Sequence, residues 1–300
     1  MQNILTLITD PHNAVLTNRQ ASAVRDALAL ARGKVGPADW LDPGVACDIP
    51  FEGVEPAEAE KVARAALRGA PIDVLVISPE NRRKKALIAD MESTIIRNEM
   101  LDEIAFEADI GPQVADITRR AMNGEIDFRG ALRERVGLLK GQPASLLEKA
   151  GERIKLMAGA VPLIQTLKDH GVYCVLVSGG FDYYTVPIAM KLGFDGQQAN
   201  HMIIEDGVIA GTVREPILGR EAKLEALQRV ARERGIGQAD CAAVGDGAND
   251  LDMLAHAGLG IAFHAKPKVQ EASRYNIRHG DLTALLYAQG YRKDEIFGRG

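Results

Sequence analysis

Two carboxylates, Asp90 and Glu92, stand two residues apart where the apolar run LIA gives way to DMEST, with Ser93 and Thr94 directly behind them. A second acidic stretch, Gly245-Asp246-Gly247-Ala248-Asn249-Asp250, follows the apolar CAAV, and Ser178-Gly179-Gly180 follows YCVLV. Oxygen-rich clusters of this kind suit a hard cation such as Mg2+, which takes one or two carboxylates and fills its shell with waters and a substrate phosphate. The chemistry they predict is phosphoryl transfer. An Asp near a metal and a phosphorus atom can act as nucleophile. A second acid can protonate the leaving oxygen and then activate water. Ser178 and the unshielded N–H groups of the two glycines can hold phosphoryl oxygens, and Lys223 can balance the charge of nucleophile and phosphate. Each group also has a plainer use. Asp and Ser after strands cap the next helix, Gly-Gly makes a turn, and a lone helical lysine is commonly surface charge. Their joint occurrence, in this order, is what favours the site.

The elements that must position these groups are legible as alternating patterns. From residue 86 onward, short apolar strands at KALIAD (85–90), VYCVLVS (172–178), CAAVGD (241–246) and GLGIAF (258–263) alternate with helical segments at 161–170, 184–193 and 220–234. Alternation of this type predicts an α/β fold with a doubly wound, mostly parallel sheet. Ligands of such sheets sit beyond the carboxyl ends of the strands, where all three clusters fall. MIIEDGVIAGTV (202–213), with Asp-Gly between apolar runs, predicts a hairpin leaving the sheet. Between the first and second strands lie about 80 residues with only helical patterns, at 99–108, 112–122, 127–139 and 143–150. A helical insertion at that edge is placed to cap the site.

Residues 1–80 read separately. Strand patterns at 4–9, 45–51 and 72–78 alternate with helical ones at 21–31 and 55–67, which predicts a small ferredoxin-like α+β unit. The basic NRRKK (81–85) reads as a solvated linker. The resulting division is 1–80 for the N-terminal unit and 81–300 for the rest, with a core over about 82–96 and 158–295 and a cap over about 97–157.

The bulk properties exclude several classes. The chain of 300 residues is 46% hydrophobic and 26% charged, with a net charge of −5. That balance argues against a dedicated nucleic-acid or anionic-membrane binder. No apolar run approaches the ~18–20 residues that span a bilayer, and the start MQNILTLITDPHN lacks the features of a signal peptide. The three cysteines, Cys47, Cys174 and Cys241, show no metal or disulfide spacing, which predicts reduced thiols and a cytoplasmic location.

Several stretches resemble the haloacid dehalogenase superfamily, and within it the phosphoserine phosphatases: ADMEST (89–94), IIRNEMLDEIA (95–105), TRRAMNGEIDFRGALRERVGLLKG (118–141), VLVSGGFDYY (175–184), EAKLEAL (221–227) and VGDGANDLDMLAHAGLGIAFHAKPKV (244–269). The resemblance covers essentially all of 86–290, and residues 1–80 resemble ACT-like modules. It implies Asp90 as nucleophile and Glu92 as general acid/base. It also implies Mg2+ held by Asp90, Asp246 and the backbone carbonyl of Glu92, with Asn249 and Asp250 in support. Ser178, Gly179, Gly180 and Lys223 would hold the phosphoryl group, with Asn249 close by. Glu99 and Arg135 would bind the ammonium and carboxylate ends of phosphoserine, with Met122 and Phe128 lining the pocket. The implied activity is hydrolysis of O-phospho-L-serine through an aspartyl-phosphate, the last step of serine biosynthesis. Serine feedback and a homodimer through the N-terminal unit are further implications. Spacing supports part of this independently, because Phe128, Leu132 and Arg135 share one helical face. An inward arginine can grip a carboxylate bidentately, and a glutamate suits an ammonium group.

One position departs from the family, which usually places Asp where Glu92 stands. Metal contact through a backbone carbonyl survives that change, whereas the extra methylene alters the reach of the acid. Two alternatives therefore accompany the phosphatase reading. One is transfer to another acceptor, as in phosphoserine–homoserine phosphotransferases; the other is a weakened enzyme acting mainly as a ligand sensor.

Overall fold

A computed structural model describes residues 3–299, apart from the side chain of Met122. The first unit consists of β1 (Asn3–Ile8), α1 (Asn18–Leu30), β2 (Lys34–Val35), β3 (Asp39–Asp42), β4 (Ala46–Glu52), α2 (Pro56–Leu67) and β5 (Asp73–Ile77). Its strands form an antiparallel sheet in the order β2-β4-β1-β5, with β3 also pairing with β4. This is the ferredoxin-like arrangement with its edge strand broken in two. This edge strand escaped the sequence reading, which placed strands only at 4–9, 45–51 and 72–78, because each half is short and partly exposed, without an alternating pattern. Helices α1 and α2 cover one face of the sheet over Leu5, Leu7, Cys47, Ile49 and Val74.

The other face is docked on the rest of the chain. Ile8, Leu41, Ala46, Leu75 and Ile77 join Leu285, Tyr287 and Tyr291 in one apolar core. The basic stretch 81–85 is correspondingly no solvated hinge. Arg82, 11% exposed at its side chain, forms a salt bridge with Asp48 at 2.5 Å and donates to Thr6 Oγ1 and to the carbonyls of Tyr287 and Ala288. Lys84 is buried and donates to the carbonyls of Asn81 and Ala239. The carboxylate of Asp73 accepts from the N–H groups of Arg278, His279 and Gly280.

The second part begins with β6 (Ala86–Asp90), followed by four helices: α3 (Met100–Glu107), α4 (Gly111–Met122), α5 (Phe128–Gly137) and α6 (Ser145–Glu152). Then come α7 (Ala160–Asp169), β7 (Tyr173–Phe181), α8 (Asp182–Leu192), β8 (Gly196–Asn200), the hairpin β9 (Met202–Glu205) and β10 (Val208–Val213), and α9 (Glu221–Arg234). The last elements are β11 (Cys241–Gly245), α10 (Leu251–His256), β12 (Leu259–Phe263), α11 (Pro267–Ala272), β13 (Tyr275–Ile277) and α12 (Ala284–Ala288). Six strands form an all-parallel sheet in the order β13-β12-β11-β6-β7-β8. Strands β6, β11 and β12 are buried along their whole length, as expected of strands covered on both faces. The edges β8 (GQQAN) and β13 (YNI) are polar or very short, and hydrophobic pattern alone did not reveal them.

Strand β6 lies at the centre and the order reverses on either side of it, which opens a crevice at its carboxyl end. The register pairs Asp90 with Val177 and Ala89 with Val244, so Asp90, Ser178 and Asp246 emerge side by side. Helices α3–α6 stand over this crevice. The two crossings to them pair through an Ile96–Leu156 bridge, flanked by Arg97 N–H to Lys155 O and Met157 N–H to Ile95 O. The hairpin turns at Asp206 and Gly207, both with positive φ, as a two-residue hairpin loop requires. Its β10 packs on α5, and Ile209 exchanges backbone bonds with Gly141 and Gln142.

Candidate active site

Asp90 ends β6 almost completely buried, and its nearest cation is Lys223 from α9, with Nζ 2.6 Å from Oδ1. The same ammonium lies 2.5 Å from Asp250 Oδ1, whose other oxygen accepts from Gly247 N–H. A Cβ at Gly245 would collide with the Asp250 carboxylate. The bare backbone at the end of β11 is therefore what lets this acid fold under the site. Burial opposes the charge on Lys223, but Asp90 and Asp250 outweigh it and hold its pKa above the usual lysine value.

Lys223 pairs with two of three neighbouring aspartates. Carboxylate oxygens of Asp90, Asp246 and Asp250 all lie within 4.8 Å of one another. Burial and then Asp250 push Asp90 upward against the pull of Lys223. Burial, Asp250 and Glu99 push Asp246 up to about 6. The hydrogen bond that Asp246 accepts from Thr94 Oγ1 is a long one, 3.5 Å. A surplus of hard, crowded oxygen donors fits a divalent cation such as Mg2+. Asp90 and Asp246, which Lys223 leaves less fully engaged than Asp250, are carboxylates that could hold it.

Glu92 does not point into that cluster. Its Oε1 accepts from Met100 N–H at 2.9 Å, the first residue of α3, and both carboxylate oxygens lie about 3.0 Å from where a Cβ on Gly180 would stand. Gly180 thus leaves the space that the longer acid occupies. Burial and then Glu99 raise the pKa of Glu92 to about 7, which places its protonation change near neutral pH. Between Glu92 and the helix, Ser93 adopts a left-handed backbone with φ +54° and donates its hydroxyl to Glu99 Oε1 at 2.7 Å.

Above these groups is a cavity of about 380 Å³ lined by Asp90, Glu92, Glu99, Gly179, Gly180, Asp246 and Asn249. Phe128, Leu132 and Arg135 of α5 close it from above, and a Cβ at Gly179 would stand 3.1 Å from the Phe128 ring. The cap therefore sits down on the glycine loop. Arg129 of α5 pairs with Glu221 and donates to Ile217 O, and Arg133 bonds Glu215 at 2.7 Å, which latches α5 to the segment before α9. Burial works against the guanidinium of Arg135, whose charge is supported by Asp102, Glu92 and Glu99. Its Nε donates back to Ala131 O.

Not every expected residue lines the cavity. Ser178 is buried behind it, and its hydroxyl accepts from Gly180 N–H at 2.9 Å, so it shapes the loop from within. Lys223 and Asp250 lie beneath the floor. Met122 ends α4, and its side chain lies outside the described residues. Four lining residues were missed: Leu101, Asp102, Thr118 and Lys266. Asp102 was within reach of sequence reasoning, since it is one helical turn from Glu99; Lys266 arrives from the far side of β12 with no local signal. Asn200 was also missed. It is buried at the end of β8, donates to Gly179 O at 2.8 Å and accepts from Leu218 N–H, tying the glycine loop in place.

The sequence matches the haloacid dehalogenase-like hydrolase family over residues 87–255. A phosphoserine phosphatase of Haemophilus influenzae is 44% identical over 212 residues, covering 71% of this chain and 68% of the relative. One from Methanocaldococcus jannaschii is 43% identical over 205 residues, which are 68% of this chain and 97% of the relative. The crystal structure of a probable phosphoserine phosphatase from Vibrio cholerae superposes with a TM-score of 0.80 at 28% identity, covering 98% of this chain and 88% of that one.

Proposed function

The chain belongs to the haloacid dehalogenase-like hydrolases and, among them, to the phosphoserine phosphatases, and we propose that it releases phosphate from O-phospho-L-serine through covalent transfer to Asp90. The observation that carries this reading is the pairing of a buried Asp90 with Lys223 under a cavity whose opposite wall carries Glu99 and Arg135. The three demands of phosphoserine, a phosphate, an ammonium and a carboxylate, have one matching group each.

In the first step an oxygen of Asp90 forms a bond to phosphorus while the bond from phosphorus to the serine oxygen breaks. Glu92, half-protonated near pH 7, gives its proton to that leaving oxygen. Water then attacks the aspartyl-phosphate, Glu92 takes its proton, and the bond between phosphorus and Asp90 breaks to free phosphate. Lys223 favours the ionised form of Asp90 and orients it, and the Gly179–Gly180 N–H groups face the phosphoryl oxygens. Mg2+, held by Asp90, Asp246 and the backbone carbonyl of Glu92 with Asn249 and Asp250 behind, would neutralise phosphate charge and align the group for transfer. Glu99 receives the ammonium of the substrate and Arg135 its carboxylate, while Phe128 closes the cap against water.

We read the chain as an N-terminal unit over 1–80 and a phosphatase core over 81–300, with its cap at about 97–157. A cytoplasmic role at the end of serine biosynthesis agrees with three free, buried cysteines; among the described residues, no helix is long and apolar enough to cross a membrane. A homodimer through the N-terminal unit would have to use α1, α2 or a strand edge, because the open sheet face is docked. The deciding assay follows free phosphate and phosphohomoserine from phosphoserine, with and without Mg2+ and homoserine. Mg2+-dependent phosphate release that Asp90→Asn abolishes is the expected result. Phosphohomoserine as main product, or turnover retained by Asp90→Asn, would overturn it.

A further inference from the structure

Ser93 occupies a backbone conformation that favours glycine. Its φ is +54°, inside a tight turn in which Met91 O accepts from the N–H groups of Thr94, Ile95 and Ile96. A glycine would make this turn without strain, and a serine there is uncommon. A strained backbone beside a reaction centre points to a use for the side chain. The Ser93 hydroxyl donates to Glu99 Oε1 at 2.7 Å. Among the described residues, this is the one hydrogen bond to the Glu99 carboxylate, which belongs to the residue preceding α3 and caps nothing there.

The charge of Glu99 needs holding. It lines the same cavity as Glu92, Asp246 and Arg135, where two carboxylates repel it and one guanidinium attracts it. The side chain is also exposed and long, and an unfastened glutamate loses order readily.

We propose that Ser93 is a positioning residue that fastens Glu99 for the ammonium group of the substrate, and so sets the preference for amino-bearing phosphate esters. The proposal rests on the reading of Glu99 as the ammonium site. A serine that only served the turn would make no such distinction between substrates.

The test is steady-state hydrolysis of phosphoserine with 3-phosphoglycerate as competing inhibitor, since that ester carries a hydroxyl in place of the ammonium. Ser93→Gly keeps the turn and removes the hydroxyl. Its KM for phosphoserine should rise about tenfold, the loss expected for one charge-assisted hydrogen bond. The inhibition constant for 3-phosphoglycerate should move much less, kcat should fall less than KM rises, and the melting temperature should not drop. Ser93→Asn, which tolerates the left-handed region and can donate to Glu99, should restore most of the preference. Glu99→Gln serves as the reference and should itself collapse it. If Ser93→Gly leaves the ratio of inhibition constant to KM unchanged, or shifts both constants together, while Glu99→Gln collapses it, Ser93 has no positioning role and the Glu99 reading stands. If Glu99→Gln also leaves the ratio unchanged, the ammonium site itself is misassigned and the proposal falls with it.

Discussion

Replacing Glu92 by Asp would restore the residue usual in the family, yet the structure predicts a loss. Shortening the side chain by one methylene withdraws the carboxylate by roughly one bond length, about 1.5 Å. The 2.9 Å bond to Met100 N–H would then stretch beyond any useful hydrogen-bond distance. Met100 is fully buried and opens α3, and Glu99 makes no side-chain cap there. Losing the acceptor should cost about 1–2 kcal/mol, or a few degrees in melting temperature for a chain of this size. The displaced acid should cost on the order of 100-fold in kcat, while KM stays near its value because Glu92 holds neither end of the amino acid. Single-turnover phosphate release and thermal melting of the Glu92→Asp protein read both quantities. Glu92→Gln separates them, because the amide oxygen can still accept from Met100 but cannot transfer a proton. That variant should melt like the parent and turn over roughly 10²–10⁴-fold more slowly. A Glu92→Asp enzyme with undiminished kcat and unchanged melting would refute the reasoning, since the backbone would then be placing the acid without the helix.

Lys223→Met should leave Asp90 and Asp250 buried against each other and destabilise the metal-free protein by about 3–5 kcal/mol at pH 8. Burial and the neighbouring Asp250 push Asp90 upward, so the penalty for its buried charge applies at high pH and should shrink as Asp90 takes up a proton on acidification; denaturant melts at pH 8 and at a mildly acidic pH check this. Arg82→Met strands the buried carboxylate of Asp48 and should cost about 3 kcal/mol, with faster proteolysis at the exposed 78–81 stretch read on gels. Burial pushes the thiols of Cys47 and Cys174 up to about 12 and that of Cys241 up to about 11. A thiol reagent at pH 8 should therefore label none of them until the protein is unfolded, and rapid native labelling would contradict their burial.

The parts of this molecule legible in its sequence are those written in local pattern. Continuous apolar runs ending on Asp90, Ser178 and Gly245 gave the central strands, because strands buried on both faces carry no alternation to misread. The Asp-Gly at 206–207 marked the hairpin for the conformational reason that both residues need positive φ. What stayed hidden depends on contacts between distant segments. The basic 81–85 stretch looked solvated because Asp48 and the carbonyls of 287 and 288, which receive Arg82, lie far away in sequence. Strand β8 reads as polar coil and is a strand only because β7 offers it an edge. In the site, the strand-end groups at 90–94, 178–180 and 245–250 could be named from type and order and Glu99 and Arg135 through the family resemblance, whereas the turn of Glu92 toward Met100 and of Ser93 toward Glu99 follows from backbone angles that no spacing encodes.

The loop following β13 has two attachments. On one side its N–H groups at 278–280 are gripped by Asp73 of the N-terminal sheet. On the other, Leu282 N–H bonds Ala158 O, and Gly159 (φ +80°) lies so close to Leu282 and Thr283 that any side chain there would strike their backbone. Ala158 and Gly159 are where the chain returns from the cap. A few residues of loop thus serve as a common abutment for a remote sheet and for the point where the chain leaves the helical insertion. Tilting the N-terminal unit on its seat would have to either break the Asp73 hydrogen bonds or displace residues 158 and 159, so the seat of the small unit and the base of the helical insertion are tied through one loop.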